Sequence, residues 1–197
     1  MRSVSVRVAL VLFAIASTAQ SRLAPYVATP LDVVERMLRL ADVGTRDVLY
    51  DLGCGDGRIV IMAAQKFGAR GVGVDIDASL VTKAKADAVA AGVADRVNFR
   101  VQDALTTDLH EATVVTLYLL AASNVALKPM LQRDLPNGAR IVSHNFPMGD
   151  WEPDRVDNFT DASGKKRTLY LWRVAKPQAA AQGLARARSM ISSINRR

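Results

Sequence analysis

Asp51-Leu52-Gly53-Cys54-Gly55-Asp56-Gly57 lies between a short apolar run, residues 47–51, and a helical pattern that begins near Arg58. The run predicts a buried strand, so the glycines lie in the loop between this strand and the helix that follows it. Glycine permits positive φ and close approach of a ligand to the backbone, and the first N–H groups of a helix are unpaired. A tight turn without a ligand would need the same glycines, so the loop alone leaves both interpretations open.

Strands and helices alternate outward from this loop. Strands are predicted over residues 47–51, 71–75, 97–101, 113–120 and 139–143, and helices over 30–41, 58–67, 79–91 and 123–134. Thr29 is the expected N-cap of the first helix, with Pro30 at its first position. The alternation indicates a parallel sheet with helices on both faces. Residues 155–159 and 168–174 predict an antiparallel pair at its edge, joined by a turn at 162–165.

Two acids follow the next two strands. Asp75 ends the second strand, where a carboxylate can accept hydrogen bonds from both ribose hydroxyls of a nucleoside. Asp103 ends the third strand, where it could accept from the exocyclic amine of adenine. Ile76 and Ala104, the residues that follow these acids, are expected to contact the same ligand. The acids and the glycine loop together predict an adenosine-containing ligand.

The charges of the loop indicate which ligand that is. A dinucleotide loop needs a third glycine five positions after the first, but Arg58 stands there. Asp51 and Asp56 would place negative charge beside a pyrophosphate, whereas an ammonium or sulfonium group would be attracted. The sequence therefore predicts S-adenosyl-L-methionine as the cofactor rather than NAD. Cofactor contacts are expected from Asp51, Gly53, Gly55, Asp56, Gly57, Asp75, Ile76, Asp103 and Ala104.

The segment 51–57 resembles motif I of class I S-adenosylmethionine-dependent methyltransferases, and the likeness extends over about residues 25–174. It implies an α/β fold with a Rossmann-like, seven-stranded, mostly parallel sheet, helices on both faces and an antiparallel last strand. Residues 25–27, 51–60, 138–143, 146–147 and 151–153 are similar to one small family, the protein-lysine methyltransferases acting on adenine nucleotide translocase and ATP synthase c subunit. This closer resemblance implies methyl transfer to lysine Nε, with Tyr26 and Thr29 covering the cofactor. The eukaryotic members have a Glu where this chain has Asp75.

Tyr118 and Asn145 are the candidates for positioning the acceptor amine, because ligands of open α/β sheets bind at the carboxyl ends of the strands. Packing is the alternative role for Tyr118, and capping a loop is the alternative for Asn145. His144 is interpreted as a hydrogen-bonded strand-end histidine rather than a proton relay. One cysteine and two histidines provide no cluster for a structural metal.

Two other functions remain open from the residues. A small-molecule or RNA methyltransferase would use the same cofactor half, and a non-catalytic module could bind an adenosyl ligand without an acceptor pocket. The expected partner is a protein substrate that offers a lysine side chain, with a membrane protein and an anionic membrane surface as further candidates.

The net charge of +7 is concentrated at the two ends of the chain. Residues 162–197 carry nine basic and no acidic residues, while residues 23–161 carry 14 basic and 19 acidic ones. A body of this charge argues against a nucleic-acid surface across the whole domain, so no nucleic-acid partner is expected.

The chain divides into a segment 1–24, a methyltransferase domain 25–174 and a basic, Ala-rich tail 175–197. Arg2 and Arg7 precede the apolar run 8–16 and the small residues 17–19, as in a secretory signal or a membrane anchor. Export or membrane anchoring is therefore expected, with the cytoplasm as the alternative.

Truncation after Lys176 tests the basic tail as a contact for the acceptor or for a membrane. Anionic lipid attracts basic segments by about 1 kcal/mol per charge near its surface. The truncated protein should keep its affinity for S-adenosylhomocysteine and should co-sediment less, and with less salt sensitivity, with anionic liposomes. Equal co-sedimentation of both forms would show that the tail does not engage the membrane.

Overall fold

The computed structural model describes residues 23–176. Seven strands are present, β1 Val48–Leu52, β2 Arg70–Asp75, β3 Val97–Val101, β4 Val114–Leu117, β5 Arg140–His144, β6 Arg155–Thr160 and β7 Lys166–Arg173. Four helices accompany them, α1 Leu31–Leu40, α2 Arg58–Phe67, α3 Ala78–Ala90 and α4 Ala121–Asp134, with a 3₁₀ turn at Ala104–Thr106. The predictions for the N-terminal segment and the basic tail fall on residues 1–22 and 177–197, outside the described part.

The strands form one sheet in the order β3-β2-β1-β4-β5-β7-β6. β1 to β5 are parallel, and β7 runs antiparallel to both β5 and β6. This confirms the predicted seven-stranded, mostly parallel sheet with an antiparallel last strand. The strand order reverses at β1, which pairs with β2 on one side and β4 on the other. Ligand clefts of open α/β sheets form beside this reversal, at the carboxyl ends of the strands.

Helices cover both faces of the sheet. On one face α1 and α2 pack against each other, α2 contacts α3, and the predicted apolar face of α1 is buried at Val33, Val34, Met37, Leu38 and Ala41. On the other face α4 buries Leu127 and Leu131 in a second apolar cluster that includes the fully buried Trp172. No helix within residues 23–176 is both long enough and apolar enough to span a membrane.

Two predicted boundaries were wrong in ways that affect the cleft. β4 ends at Leu117 rather than at residue 120, so Tyr118 and Leu119 lie beyond the hydrogen-bonded strand. α1 begins at Leu31 with Pro30 as its N-cap and without a side-chain cap. Thr29 is buried instead, and its carbonyl accepts a hydrogen bond from Arg58 Nη1 at 3.0 Å. Thr29 is thus held by a tertiary contact, and it does not form the predicted capping bond.

At position 73, in the middle of β2, there is room only for glycine. A Cβ placed on Gly73 would lie 2.6 Å from Phe99 Cδ1 and 2.8 Å from Cys54 Sγ. Real Cβ atoms do not approach neighbours so closely, and the Phe99 ring and the Cys54 thiol are both buried. The absent side chain at Gly73 therefore lets β3 and the glycine loop close against β2.

Gly73→Ala should lower the free energy of unfolding by about 1–3 kcal/mol, because overpacking a dense core forces neighbours to shift. Gly44→Ala is the matched control, since a Cβ there meets no atom within 4 Å and the φ of Gly44 is not positive. The control should change stability by less than about 0.5 kcal/mol. Equal denaturation midpoints for the two variants would contradict this account of β2.

Candidate active site

A cleft opens at the carboxyl ends of the parallel strands and encloses about 840 Å³, counting its open mouth. One wall is the segment that leads into α1, residues 23–29, which is called the strap below. The other walls come from the ends of β1 to β4 and the loops that follow them. The lining comprises residues 23–29, Asp51, Gly53, Cys54, Gly55, Asp56, Arg58, Ile59, Val74, Asp75, Ile76, Leu80, Gln102, Asp103, Ala104, Tyr118 and Leu119.

The glycine loop is folded tightly against β2. The amides of Gly53 and Cys54 both donate to the carbonyl of Val74, at 2.9 and 3.0 Å. Gly53 and Gly55 have φ values of 83° and 53°, which residues with a Cβ rarely adopt. A Cβ on Gly55 would also collide with the ring of Tyr26. Glycine is therefore required at Gly55 by its backbone angle and by the strap that covers it.

Gly57 is not among the lining residues of the cleft, and its role as a cofactor contact stays a prediction. It is the N-cap of α2 in the left-handed region, with φ 76°. A Cβ there would lie 2.6 Å from Phe99 Cε1 and 2.8 Å from Ala84 Cβ. The third glycine of the loop thus serves close packing beneath the cleft.

Asp75 and Asp103 lie in the lining together with Ile76 and Ala104, as expected. Asp75 Oδ2 accepts from the amide of Gly55 at 2.9 Å, and its Oδ1 accepts from the amide of Asp77 at 2.9 Å. Asp103 Oδ1 accepts from the amide of Leu105 at 2.9 Å and caps the 3₁₀ turn. Each carboxylate is held in place by the backbone, and each oxygen can accept a further hydrogen bond.

Asp51 is the most deeply buried acid of the cleft, with 2 % of its surface exposed. Thr116 Oγ1 donates to its Oδ1 at 2.8 Å, whereas its Oδ2 has no partner within the protein. Burial, opposed by the Thr116 hydrogen bond and reinforced by the charges of Asp75 and Asp56, raises the pKa of Asp51 to about 7. A buried carboxylate oxygen without a partner, in the wall of a cleft, suits a ligand that brings a cationic donor.

Asp56 is not free to repel an anion, contrary to expectation. Arg58 Nη2 lies 2.5 Å from Asp56 Oδ2, and Arg58 Nε donates to Asp56 Oδ1 at 2.9 Å. Burial would raise the pKa of Asp56, but the hydrogen bonds and charge of Arg58 outweigh it and hold that pKa below its usual value. A pyrophosphate is therefore disfavoured by Asp51 and Asp75. Arg58 was not predicted to be a cleft residue, although its place two residues after Asp56 at a helix start signals this ion pair.

The strap is tied to both faces of the sheet. Ser123 Oγ, at the start of α4, donates to the carbonyl of Leu23, and Arg58 donates to that of Thr29. Between these anchors the ring of Tyr26 covers Gly55. Burial, followed by the neighbouring Asp56 charge, raises the pKa of Tyr26. Tyr26 and Thr29 thus lie where the resemblance implied, over the cleft.

The two candidates for positioning the amine are separated by the structure. Tyr118 lines the cleft and stacks on His144 with 4.0 Å between ring centroids. Asn145 is not among the lining residues of the cleft, and its role in positioning the amine stays a prediction. Its backbone N–H donates to the carbonyl of Thr168 at 2.7 Å, and its side-chain Oδ1 accepts from the backbone N–H of Thr168 at 3.1 Å. Asn145 caps the loop after β5, the alternative that the sequence left open.

His144 is fully buried, and neither ring nitrogen has a hydrogen-bond partner within the protein. The expectation of a hydrogen-bonded strand-end histidine was therefore wrong. Burial, followed by the charge of Arg167, lowers the pKa of His144 to about 4. The imidazole is consequently neutral at physiological pH. Residues 23–176 contain no group of three or more His, Cys, Asp or Glu side chains placed to hold a metal ion.

Several proteins of known sequence are similar to this chain. Residues 51–155 match the family described as the ANTKMT methyltransferase domain. A protein-lysine N-methyltransferase of Saccharolobus islandicus is 42% identical over 153 residues, which cover 77% of this chain and 94% of that protein. The adenine nucleotide translocase lysine N-methyltransferase of Mus musculus is 36% identical over 67% of this chain. The match covers 57% of the mouse protein, so the chain spans little more than half of that relative's length.

A solved structure extends the comparison to the fold and the ligand. The crystal structure of an RNA methyltransferase from Salinibacter ruber in complex with S-adenosyl-L-homocysteine is 54% identical in sequence, with a TM-score of 0.72. The match covers 77% of this chain and 96% of that one. The adenosyl ligand of that complex agrees with the acids and glycines of the cleft described above. The chain thus belongs to the ANTKMT methyltransferase-domain family and is an S-adenosylmethionine-dependent methyltransferase.

Proposed function

We propose that this enzyme transfers the methyl group to the Nε atom of a lysine in a protein acceptor. Named relatives support this acceptor class, since the Saccharolobus islandicus and Mus musculus proteins are both lysine N-methyltransferases. The Salinibacter ruber protein, an RNA methyltransferase, makes RNA the second candidate acceptor. The charges around the cleft favour lysine over RNA.

The observation that carries the proposal is the acidic lining of the cleft. Asp51, Asp75 and Asp103 line the cleft at the carboxyl edge, where Arg58 is neutralised by Asp56. An RNA backbone would need free cations beside the reacting site, but the one cation that the described lining contains is Arg58, and it is paired with Asp56. An acidic cleft instead attracts an ammonium group.

Three acids of the lining are assigned to parts of the cofactor. Asp75, fixed by two backbone amides, accepts from the ribose hydroxyls, and Asp103 accepts from the adenine amine. Asp51 offers its unpartnered Oδ2 to the ammonium of the methionine moiety. Ile76 and Ala104 contribute apolar contacts between the two strand ends.

S-adenosylmethionine supplies the methyl group as a sulfonium, so that the amine lone pair forms the new N–C bond while the sulfur keeps the electrons of the broken S–C bond. The protein has to provide a neutral amine, which for lysine of pKa near 10.4 costs about 4.6 kcal/mol at pH 7. Partial desolvation under the strap lowers that pKa. Holding the amine in line contributes about 7–11 kcal/mol of the rate enhancement.

The acceptor class is tested by methyl transfer from radiolabelled cofactor into poly-L-lysine and, in parallel, into total RNA. Methyl-lysine in the acid hydrolysate of the polypeptide is the expected result, with little label in the RNA. Labelled RNA together with an unlabelled polypeptide would overturn the proposal in favour of the RNA alternative. Absence of transfer to either, with S-adenosylhomocysteine still bound, would favour the non-catalytic module.

We also propose that the acceptor is met at an anionic membrane surface and that the N-terminal segment directs the enzyme there. The support for this part is the apolar run and the basic tail of the sequence, which lie outside residues 23–176. The liposome experiment with the truncated chain addresses the tail.

Asp75→Asn should weaken S-adenosylhomocysteine binding at least about tenfold, because it removes a charge-assisted hydrogen bond on the order of 1.5–3 kcal/mol. The variant also replaces an acceptor for the amides of Gly55 or Asp77, so its circular dichroism has to be compared with that of the parent. Asp95→Asn, at the opposite edge of the sheet, is the matched control and should bind normally in isothermal titration. Unchanged affinity of Asp75→Asn would place the ribose elsewhere.

Asp51→Asn should lower the affinity for the cofactor and raise the stability of the folded protein. The pKa of Asp51 lies at about 7 in the folded protein against an ordinary 3.8, so stability falls as the pH rises from 3.8 to about 7, where the unfolded chain ionises while the folded protein keeps the proton, and the loss is complete above 7. The variant escapes this loss, so its free energy of unfolding at pH 8 should exceed that of the parent by about 1–3 kcal/mol. The gain should shrink at pH 5, where the folded parent holds the proton. Cofactor affinity should fall, and a pH-independent difference in stability would contradict this role.

A further inference from the structure

The main chain of Phe146 is fixed by a network of buried polar groups. Its carbonyl accepts from Ser143 Oγ at 2.7 Å and from Asn124 Nδ2 at 3.0 Å. Asn124 and Ser143 are both fully buried, and Asn124 Nδ2 also donates to Ser143 Oγ at 3.0 Å. Asn124 Oδ1 has no partner among the described residues, but the hydrogen bonds that Asn124 Nδ2 and Ser143 Oγ make rigidify the loop that they hold. The loop after β5 is therefore held in one position from the α4 side.

Asn145 holds the same loop from the other side. Its φ is 64°, which lies in the left-handed region. This conformation is unfavourable for any residue that has a Cβ atom. Its paired hydrogen bonds with the backbone of Thr168 compensate that cost. Two independent sets of contacts thus position Phe146, although its side chain is partly exposed and does not belong to the apolar core. A partly exposed ring held this firmly is preorganised for contact with something outside the core.

The ring of Phe146 continues the wall of the cleft outward. Its centroid lies 6.4 Å from that of Tyr118, with 28° between the ring planes, and Tyr118 lines the cleft. The two residues follow the neighbouring strands β5 and β4, which pair in parallel through Leu117 and Ser143. Tyr118 and Phe146 together are called the aromatic shelf. The shelf leads from the cleft across the carboxyl edge of the sheet.

His144 supports the shelf from below. Its ring stacks on Tyr118 at 4.0 Å and is fully enclosed, so it fixes the tilt of the Tyr118 ring. Arg167 and Asp161, whose charges act on the pKa of His144 in opposite directions, form an ion pair of 2.7 Å with each other. A neutral imidazole in this place adds no positive charge beneath the shelf. An approaching cation is therefore not repelled from that side.

We propose that the aromatic shelf is the acceptor subsite, on which the lysine side chain lies with its methylenes across Phe146 and its amine directed past Tyr118 into the cleft. The faces of aromatic rings attract alkylammonium groups, including methylated ones, and pack against methylene chains. Phe146 is then a specificity-determining residue that binds the side chain without taking part in the transfer itself. The inference rests on the proposed function for the identity of the acceptor.

The test uses the enzyme saturated with S-adenosylhomocysteine and titrated with Nα-acetyl-Nε-methyl-lysine methylamide, followed by NMR. Phe146→Leu keeps the apolar volume and removes the ring face, so the affinity for this probe should fall about two- to thirty-fold. Phe146→Tyr should restore it. Phe159→Leu is the matched control, because Phe159 lies on β6 beneath Arg36. The control and both Phe146 variants should keep their affinity for S-adenosylhomocysteine within about twofold. With poly-L-lysine as acceptor, KM should rise in Phe146→Leu more than kcat falls.

Contacts in the unaltered enzyme provide a second readout that does not depend on how the variants fold. Nuclear Overhauser effects are expected between the probe's methylene protons and the ring protons of Phe146 and Tyr118. Methyl-lysine formation by the parent enzyme, combined with undiminished probe binding by Phe146→Leu, would overturn the shelf and leave the proposed function intact. A parent enzyme that binds no probe and labels only RNA would overturn both.

Discussion

The two hydrogen bonds from Gly53 and Cys54 to the carbonyl of Val74 are the contacts on which the rest of the cleft depends. They fold the chain back against β2 as soon as β1 ends, and the positive φ angles of the glycines make that reversal accessible. The amide of Gly55 then meets Asp75, so the loop and the acid hold each other. Without this reversal neither the floor of the cleft nor the place of Asp75 would be defined.

Buried polar atoms without a hydrogen-bond partner lie in and beside the cleft. The side-chain atoms that lack a partner among the described residues include Asp51 Oδ2, Asn124 Oδ1 and both nitrogens of His144. All three residues lie near the carboxyl edge, where β1 and β5 end and α4 begins. Such groups reduce folding stability, and they concentrate at functional sites because a ligand or a neutral protonation state can offset their cost. The apolar clusters on the two faces of the sheet compensate for the stability that is lost at this edge.

The cofactor half and the acceptor half are built by different means. The cofactor half relies on backbone groups, since the amides of Gly55 and Asp77 hold Asp75 and that of Leu105 holds Asp103. The acceptor half relies on side chains, since Asn124 and Ser143 hold the loop that carries Phe146.

Local pattern determined much of this protein. The local sequence pattern predicted the seven strands and the four α-helices of the described domain, because strands buried on both faces read as short apolar runs and helices show a 3.6-residue period. The glycine loop, Asp75 and Asp103 could be assigned to one site, since the carboxyl ends of parallel strands meet at one edge. Only the tertiary structure decided the rest. Arg58 neutralises Asp56, Gly57 packs beneath the cleft, Asn145 turns to Thr168, and His144 is enclosed beneath Tyr118. In each case the role depends on which groups from distant segments lie within hydrogen-bond or contact distance. It also depends on how far those groups exclude water. The spacing of residues along the chain encodes neither the contacts nor the exclusion of water.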